Sequence, residues 1–166
     1  MIASRPSFEV MQKAYPKGTA AEVKKLIGGK VDAAWITNTC VIRLSRALNY
    51  SGAQHKIRRT PTMNTITGSD KLWYGFRVRE FVPYFTRRYG KPEVVLEDGS
   101  FEQDIARGKV AGPSQLGRGV IAFEISGWSN ATGHVDLWNW SFCLSETCLM
   151  RNYFKKASKV HFWRLP

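Results

Sequence analysis

With 43% hydrophobic and 13% aromatic residues, this 166-residue sequence is apolar enough to fold and long enough to bury a core, which excludes a disordered chain. Twenty-five Lys and Arg against 13 Asp and Glu leave a formal net charge of +12, a surface suited to polyanions: nucleic acid, an anionic membrane face or an anionic cell-wall polymer. No apolar run of about 18 residues exists to span a membrane, and Met1 to Pro6 lack the charged, apolar and small-residue sections of a secretory signal peptide.

The chain opens with Ser4-Arg5-Pro6-Ser7, a cap-like entry to a short helix carrying Phe8, Met11 and Tyr15, broken by Pro16-Lys17-Gly18. Thr19 then caps a second helix with Glu22 at capping-box spacing, Val23, Leu26 and Ile27 forming its apolar side and Gly28-Gly29 its end. A loop through Trp35 leads to the stretch Thr37 to Gly52. There Asn38 and Thr39 are N-cap types, Val41, Leu44 and Leu48 recur at helical spacing, and Asn49-Tyr50-Ser51-Gly52 stops the run. Cys40 falls in the first turn of this helix. Unpaired N–H groups and the positive end of the helix dipole favour a thiolate there, as for a cysteine nucleophile; a small buried core residue is the alternative.

Residues 50–72 are rich in Ser, Thr and Gly around a basic knot, His55 to Arg59, and are read as a loop in which His55 is solvated. From Trp73 to Tyr89 aromatics interleave with Arg77, Arg79, Arg87 and Arg88. That pattern fits single-stranded nucleic acid by stacking and charge, or an amphipathic helix with a solvated basic face, its start limited by Pro83. The second half changes period. Val120 to Ile125 is a nearly continuous apolar run, Gly127 to Gly133 a loop, and His134 to Trp138 alternates, with His134, Asp136 and Trp138 on one face; Val160 to Leu165 is a closing strand. Helices first and strands after predict one α+β domain over residues 1–166, its helical N-terminal half packed on an antiparallel sheet.

Cys143 and Cys148 have no partner at metal-ligand spacing, so a zinc site is not expected; the pair reads as a short loop-closing disulfide, with free thiols the alternative. A helix-borne Cys40 followed by a strand-borne His134 and nearby polar groups has the chain order of papain-like cysteine hydrolases, which need a thiolate, a proton-relaying imidazole and a group that orients the ring.

The stretch from Asn38 to Gly52, Gly133-His134-Val135-Asp136-Leu137-Trp138-Asn139, the cysteine pair and the terminal Phe162 to Pro166 resemble the fourth family of type VI secretion amidase effectors, which are NlpC/P60-type cysteine peptidases. The resemblance implies a papain-like fold without cofactor or metal. It implies hydrolysis of the γ-D-glutamyl–diaminopimelate bond in the peptide stems of Gram-negative peptidoglycan. It further implies synthesis in the cytoplasm, delivery by a secretion apparatus to a rival's periplasm, and a cognate immunity protein as inhibitor. Nucleic acid is not among the expected partners.

Carried over residue by residue, Cys40 matches the nucleophile and His134 the general base. For the third member the family places an acid between the two cysteines. Counting eleven residues on from His134 reaches Ser145, counting back from Cys148 reaches Glu146, and Glu146 is preferred. Asp136 is a strand-local alternative, although neighbours on one strand face are expected to lie side by side rather than meet end-on. Trp140 stands where the family usually has glycine. The competing functions are another cysteine acyltransferase or peptidase, and a basic nucleic-acid binder using residues 73–88.

Overall fold

Ser7 opens the first helix of the computed structural model, which describes residues 2–97, 113–126, 133–145 and 152–166. Its hydroxyl accepts from the Val10 amide, and α1 (Phe8–Ala14) buries Phe8 and Met11; Tyr15 lies just beyond, at the C-cap. Thr19 and Glu22 form the expected capping box of α2 (Ala20–Ile27). Gly28, at φ 65°, ends α2 in a conformation glycine adopts without strain. Leu26, assigned to the apolar side of α2, is instead 59% exposed, because Val23 and Ile27 alone reach the core. A short 3-10 turn (Gly29–Asp32) precedes α3 (Cys40–Asn49), which is buried along almost its whole length.

Residues 50–72 are not a featureless loop. A two-stranded antiparallel ribbon, β1 (Thr65–Thr67) and β2 (Trp73–Gly75), is formed within and beside them. Strands this short give almost no period-2 signal, and tertiary anchors hold them. Asn49 Nδ2 donates to the Trp73 carbonyl at 2.8 Å, the Gly75 backbone amide donates to Ser45 Oγ at 3.1 Å, and Tyr74 Oη donates to Asp70 at 2.6 Å. His55 is likewise not solvated. It is 3% exposed, its Nδ1 lies 3.2 Å from Tyr89 Oη, and burial together with the Arg88 charge holds it below the usual imidazole range.

The aromatic and basic stretch forms α4 (Val78–Tyr89). Phe81, Tyr84, Phe85 and Tyr89 are buried while Arg79 and Arg87 face solvent, the amphipathic arrangement rather than a row of stacking platforms. Pro83 does not set the start of this helix but lies inside it. Its ring is exposed, so water can reach the carbonyl left without an N–H partner.

Five strands make the main sheet: β3 (Val94–Glu97), β4 (Arg118–Glu124), β5 (Gly133–Asn139), β6 (Phe142–Cys143) and β7 (Lys159–Arg164), in the order β3-β7-β4-β5-β6 with every pairing antiparallel. The sheet is covered on both faces. Val120, Ala122, Val135, Leu137 and Trp163 pack with the helices of the first half, whereas Ile121, Phe123, Trp138 and Phe162 pack with the short helix α5 (Tyr153–Lys156). Most of the loop expected at Gly127 to Gly133 lies outside the described residues. Gly133 itself explains the glycine before His134: an added Cβ would lie 1.9 Å from the Phe123 carbonyl oxygen of the neighbouring strand. Trp140, 55% exposed at the tip between β5 and β6, has φ 57°, a left-handed conformation that glycine adopts more easily. The glycine that the resemblance places here would therefore suit this backbone better than the tryptophan does.

No described helix is long and apolar enough to cross a membrane.

Candidate active site

Cys40 begins α3 as the sequence predicted, and its surroundings reinforce the turn. Its amide donates to Asn38 Oδ1 at 3.0 Å, so Asn38 rather than Thr39 supplies the side-chain cap. Thr39 instead accepts from Arg43 Nε at 3.3 Å. The Arg43 guanidinium, buried beneath the first turn, donates to the Pro16 and Gly18 carbonyls at 2.8 and 2.7 Å. This arginine ties the first turn of α3 to the segment between α1 and α2.

β5 presents His134 beside Cys40, close enough for the thiol to act on the imidazole. The imidazole is buried, with its ring 4.8 Å from that of Tyr153 at 30°. Burial by itself would push the ring toward its neutral form. The hydrogen bond with Asp136, the hydrogen bond with Cys40 and the negative charges of both outweigh it, and the His134 pKa is raised to about 9.

Asp136 is where the structure departs from expectation. His134 Nε2 and Asp136 Oδ2 lie 3.0 Å apart, so the two do meet. Side chains on a strand lean along its direction, and a ring reaching along β5 closes the gap that side-by-side stacking would leave. Asp136 is fully buried, and its carboxylate accepts from Tyr15 Oη at 2.6 Å, from the Leu137 amide at 2.8 Å and from the Ser145 hydroxyl. A buried carboxylate demands such partners, and their number fixes its direction. Ser145, the other position reached by counting, therefore contacts the carboxylate rather than replacing it. Glu146 lies outside the described residues.

Tyr15 is the participant that sequence reading missed. Counted as an apolar residue of α1, it carries its hydroxyl across to β5. Burial, then the charge and hydrogen bond of Asp136, hold its pKa well above the usual phenol range, so it remains a neutral donor. The only signal was a Tyr in place of Phe at a core position.

Among the described residues no group of three His, Cys, Asp or Glu is placed to hold a metal ion. Cys143 is disulfide-bonded; Cys148, its expected partner, lies outside the described residues. Because Ser145 follows two residues after Cys143, a closed loop there restrains the hydroxyl that touches Asp136. We expect Cys143→Ser with Cys148→Ser to lower stability by roughly 2–3 kcal/mol and to slow turnover more than that loss explains, with Cys40 kept reduced. Thermal melts beside rates at low temperature check this. A lower melting temperature with an unchanged rate would make the bridge a stability device only.

A buried thiol at a helix start, an imidazole delivered by an antiparallel strand and a carboxylate behind it define a papain-like cysteine hydrolase fold of the NlpC/P60 type. The chain belongs to the type VI secretion system amidase effector protein 4 family, whose model matches residues 36–163. Among solved structures, it is similar to the type VI effector Tae4 from Enterobacter cloacae, with 30% identity, a TM-score of 0.80 and full coverage of both chains. It is similar also to the Tae4/Tai4 effector–immunity system from Salmonella typhimurium, with 30% identity and a TM-score of 0.80 over 98% of this chain and 100% of that one. A third similar structure is the S. typhimurium effector in complex with the E. cloacae immunity protein Tai4, at 30% identity and a TM-score of 0.78, again over 98% and 100%. Comparison with curated proteins finds no match.

Proposed function

We propose that this protein hydrolyses the γ-D-glutamyl–diaminopimelate bond of Gram-negative peptidoglycan stems, with Cys40 as nucleophile, His134 as acid and base, and Asp136 as the positioning residue. The observation that carries the reading is the buried His134, hydrogen-bonded to Asp136 and close enough to Cys40 for the thiol to raise its pKa. The Cys40 thiolate attacks the γ-carbonyl carbon of D-glutamate. The His134 imidazolium then gives its proton to the departing diaminopimelate nitrogen as the C–N bond breaks, leaving a thioester. A water molecule, deprotonated by neutral His134, attacks the thioester, and collapse returns the thiolate and the imidazolium. The His134–Asp136 hydrogen bond favours Asp136 over Glu146 for the orienting role.

Family membership supports delivery by type VI secretion into a rival's periplasm after synthesis in the cytoplasm. The relatives solved as effector–immunity complexes support a cognate immunity protein that blocks the enzyme in kin. The test of the chemistry is product identity. Purified sacculi treated with the protein should yield muropeptides whose stems end at D-glutamate, together with released peptides whose first residue is diaminopimelate, by mass spectrometry. Cleavage at any other bond would replace this reading with that of a different cysteine peptidase.

A further inference from the structure

Beyond the far end of α3 lies a second, strongly basic feature that the proposed chemistry does not use. A surface pocket of about 400 Å³ is lined by Arg58, Arg87 and Arg88 with Gln54, Thr60 and Tyr84. Arg88 is braced within it. Its guanidinium donates to the Lys56 carbonyl at 2.9 Å and also to the Gln54 carbonyl and Tyr84 Oη, which fixes the loop after α3 against α4. Arg87 donates to Thr62 Oγ1 at 3.0 Å, and the exposed Arg58 is anchored through its amide to Tyr84 Oη at 3.4 Å. Among the described residues no carboxylate forms an ion pair with any of the three. Among the described residues, positive charge is thus concentrated in a concavity with no carboxylate paired to it, and His55 feels the field, being held below its usual range by burial and by Arg88. The C-terminal dipole of α4 offsets only a fraction of three full charges.

The pocket is not part of the active site. Cys40 and Asn49 mark the two ends of α3. At about 1.5 Å per residue the nucleophile is roughly 14 Å from the helix end against which the pocket loop is held. The Ile57 amide, next to Arg58, donates to Asn49 Oδ1 at 2.8 Å. Neither Cys40, His134 nor Asp136 lines it.

We propose that the pocket of Arg58, Arg87 and Arg88 is a second, non-catalytic subsite that holds free carboxylates of wall peptide stems other than the one being cut. This rests on the peptidoglycan reading, because that polymer repeats such carboxylates along every strand. Guanidinium forks match carboxylates in geometry, and a second foothold on the same polymer converts weak binding into avidity.

The test uses Arg58→Gln/Arg87→Gln, which removes two charges and leaves Arg88 and the loop it braces intact. In a Cys40→Ala background, co-sedimentation with intact sacculi should weaken at least about tenfold with a shallower salt dependence. In the active enzyme, kcat/KM should fall similarly on sacculi and stay unchanged on a soluble disaccharide-peptide. Lys25→Gln/Lys30→Gln, which removes two exposed charges elsewhere, should do neither. Equal sacculus binding by the arginine variant, or an equal loss in the lysine control, overturns the proposal. So does a loss confined to anionic vesicles or single-stranded DNA, which would assign the arginines to another polyanion. Arginine-dependent sacculus binding without cleavage by the wild type would uphold the subsite and remove the amidase reading.

Discussion

Cys40→Ala is expected to abolish release of stem peptides from sacculi while the protein still folds. Losing the nucleophile removes the thioester route altogether, a loss of at least about 10⁴-fold in kcat. Packing changes far less. Cys40 is buried among Val41, Leu44 and the strand residues of the first core cluster, but alanine differs from cysteine by one heavy atom, which costs about 1 kcal/mol. The readouts are muropeptide release and a thermal melt on the same preparation. Retained turnover in a variant that melts like the wild type would remove Cys40 from the chemistry and with it the whole enzymatic reading.

Replacing Asp136 should cost nearly as much in rate, and the choice of replacement matters. Alanine would leave the Tyr15 hydroxyl and the Leu137 amide as buried donors without an acceptor. The resulting loss, about 1–3 kcal/mol for each such group, threatens the fold and blurs the result. Asp136→Asn keeps the shape and an acceptor oxygen but removes the charge, so turnover should fall about 10³- to 10⁴-fold. Its distinguishing mark is the pH profile. Burial lowers the His134 pKa, and the contacts with Asp136 and Cys40 raise it to about 9. The imidazolium needed for leaving-group protonation therefore persists below that value and is lost as pH rises through it. Without the Asp136 charge the alkaline limb must move to lower pH, which a merely structural residue would not cause. The same linkage applies to stability: what His134 contributes is fully present below its ordinary value near 6.5 and is lost as pH climbs through about 9.

Tyr15→Phe removes one donor to the same carboxylate and should lower kcat about fivefold with little change in KM, in line with one lost hydrogen bond of about 1 kcal/mol. Glu146→Ala should leave both rate and pH profile nearly unchanged. An active Asp136→Asn beside an inactive Glu146→Ala would return the orienting role to the cysteine loop.

Much of this was legible in the sequence because the information is local. The capping box of Thr19 and Glu22, the glycine stop at Gly28 and the apolar period of Val41, Leu44 and Leu48 are decided within one or two helical turns, so α2 and α3 start and stop where their residues say. The placement of Cys40 on a first turn and His134 just after a glycine is local too, and the proposed chemistry rests on those two positions. Tertiary structure alone decided the rest. β1 and β2 are too short to carry a period, and the ribbon is anchored because Ser45 and Asn49 bind the backbone of β2. His55 looked solvated because polar neighbours surround it in the chain, and it is buried because Tyr89 of α4 covers it in space. That Asp136 meets His134 depended on whether its carboxylate could be buried and still satisfied. Asp136 meets that condition through Tyr15, which lies 121 residues away in the chain. Counting along a sequence finds positions, whereas the cost of an unpaired buried charge selects among them, and that cost is set by groups the chain brings together only on folding.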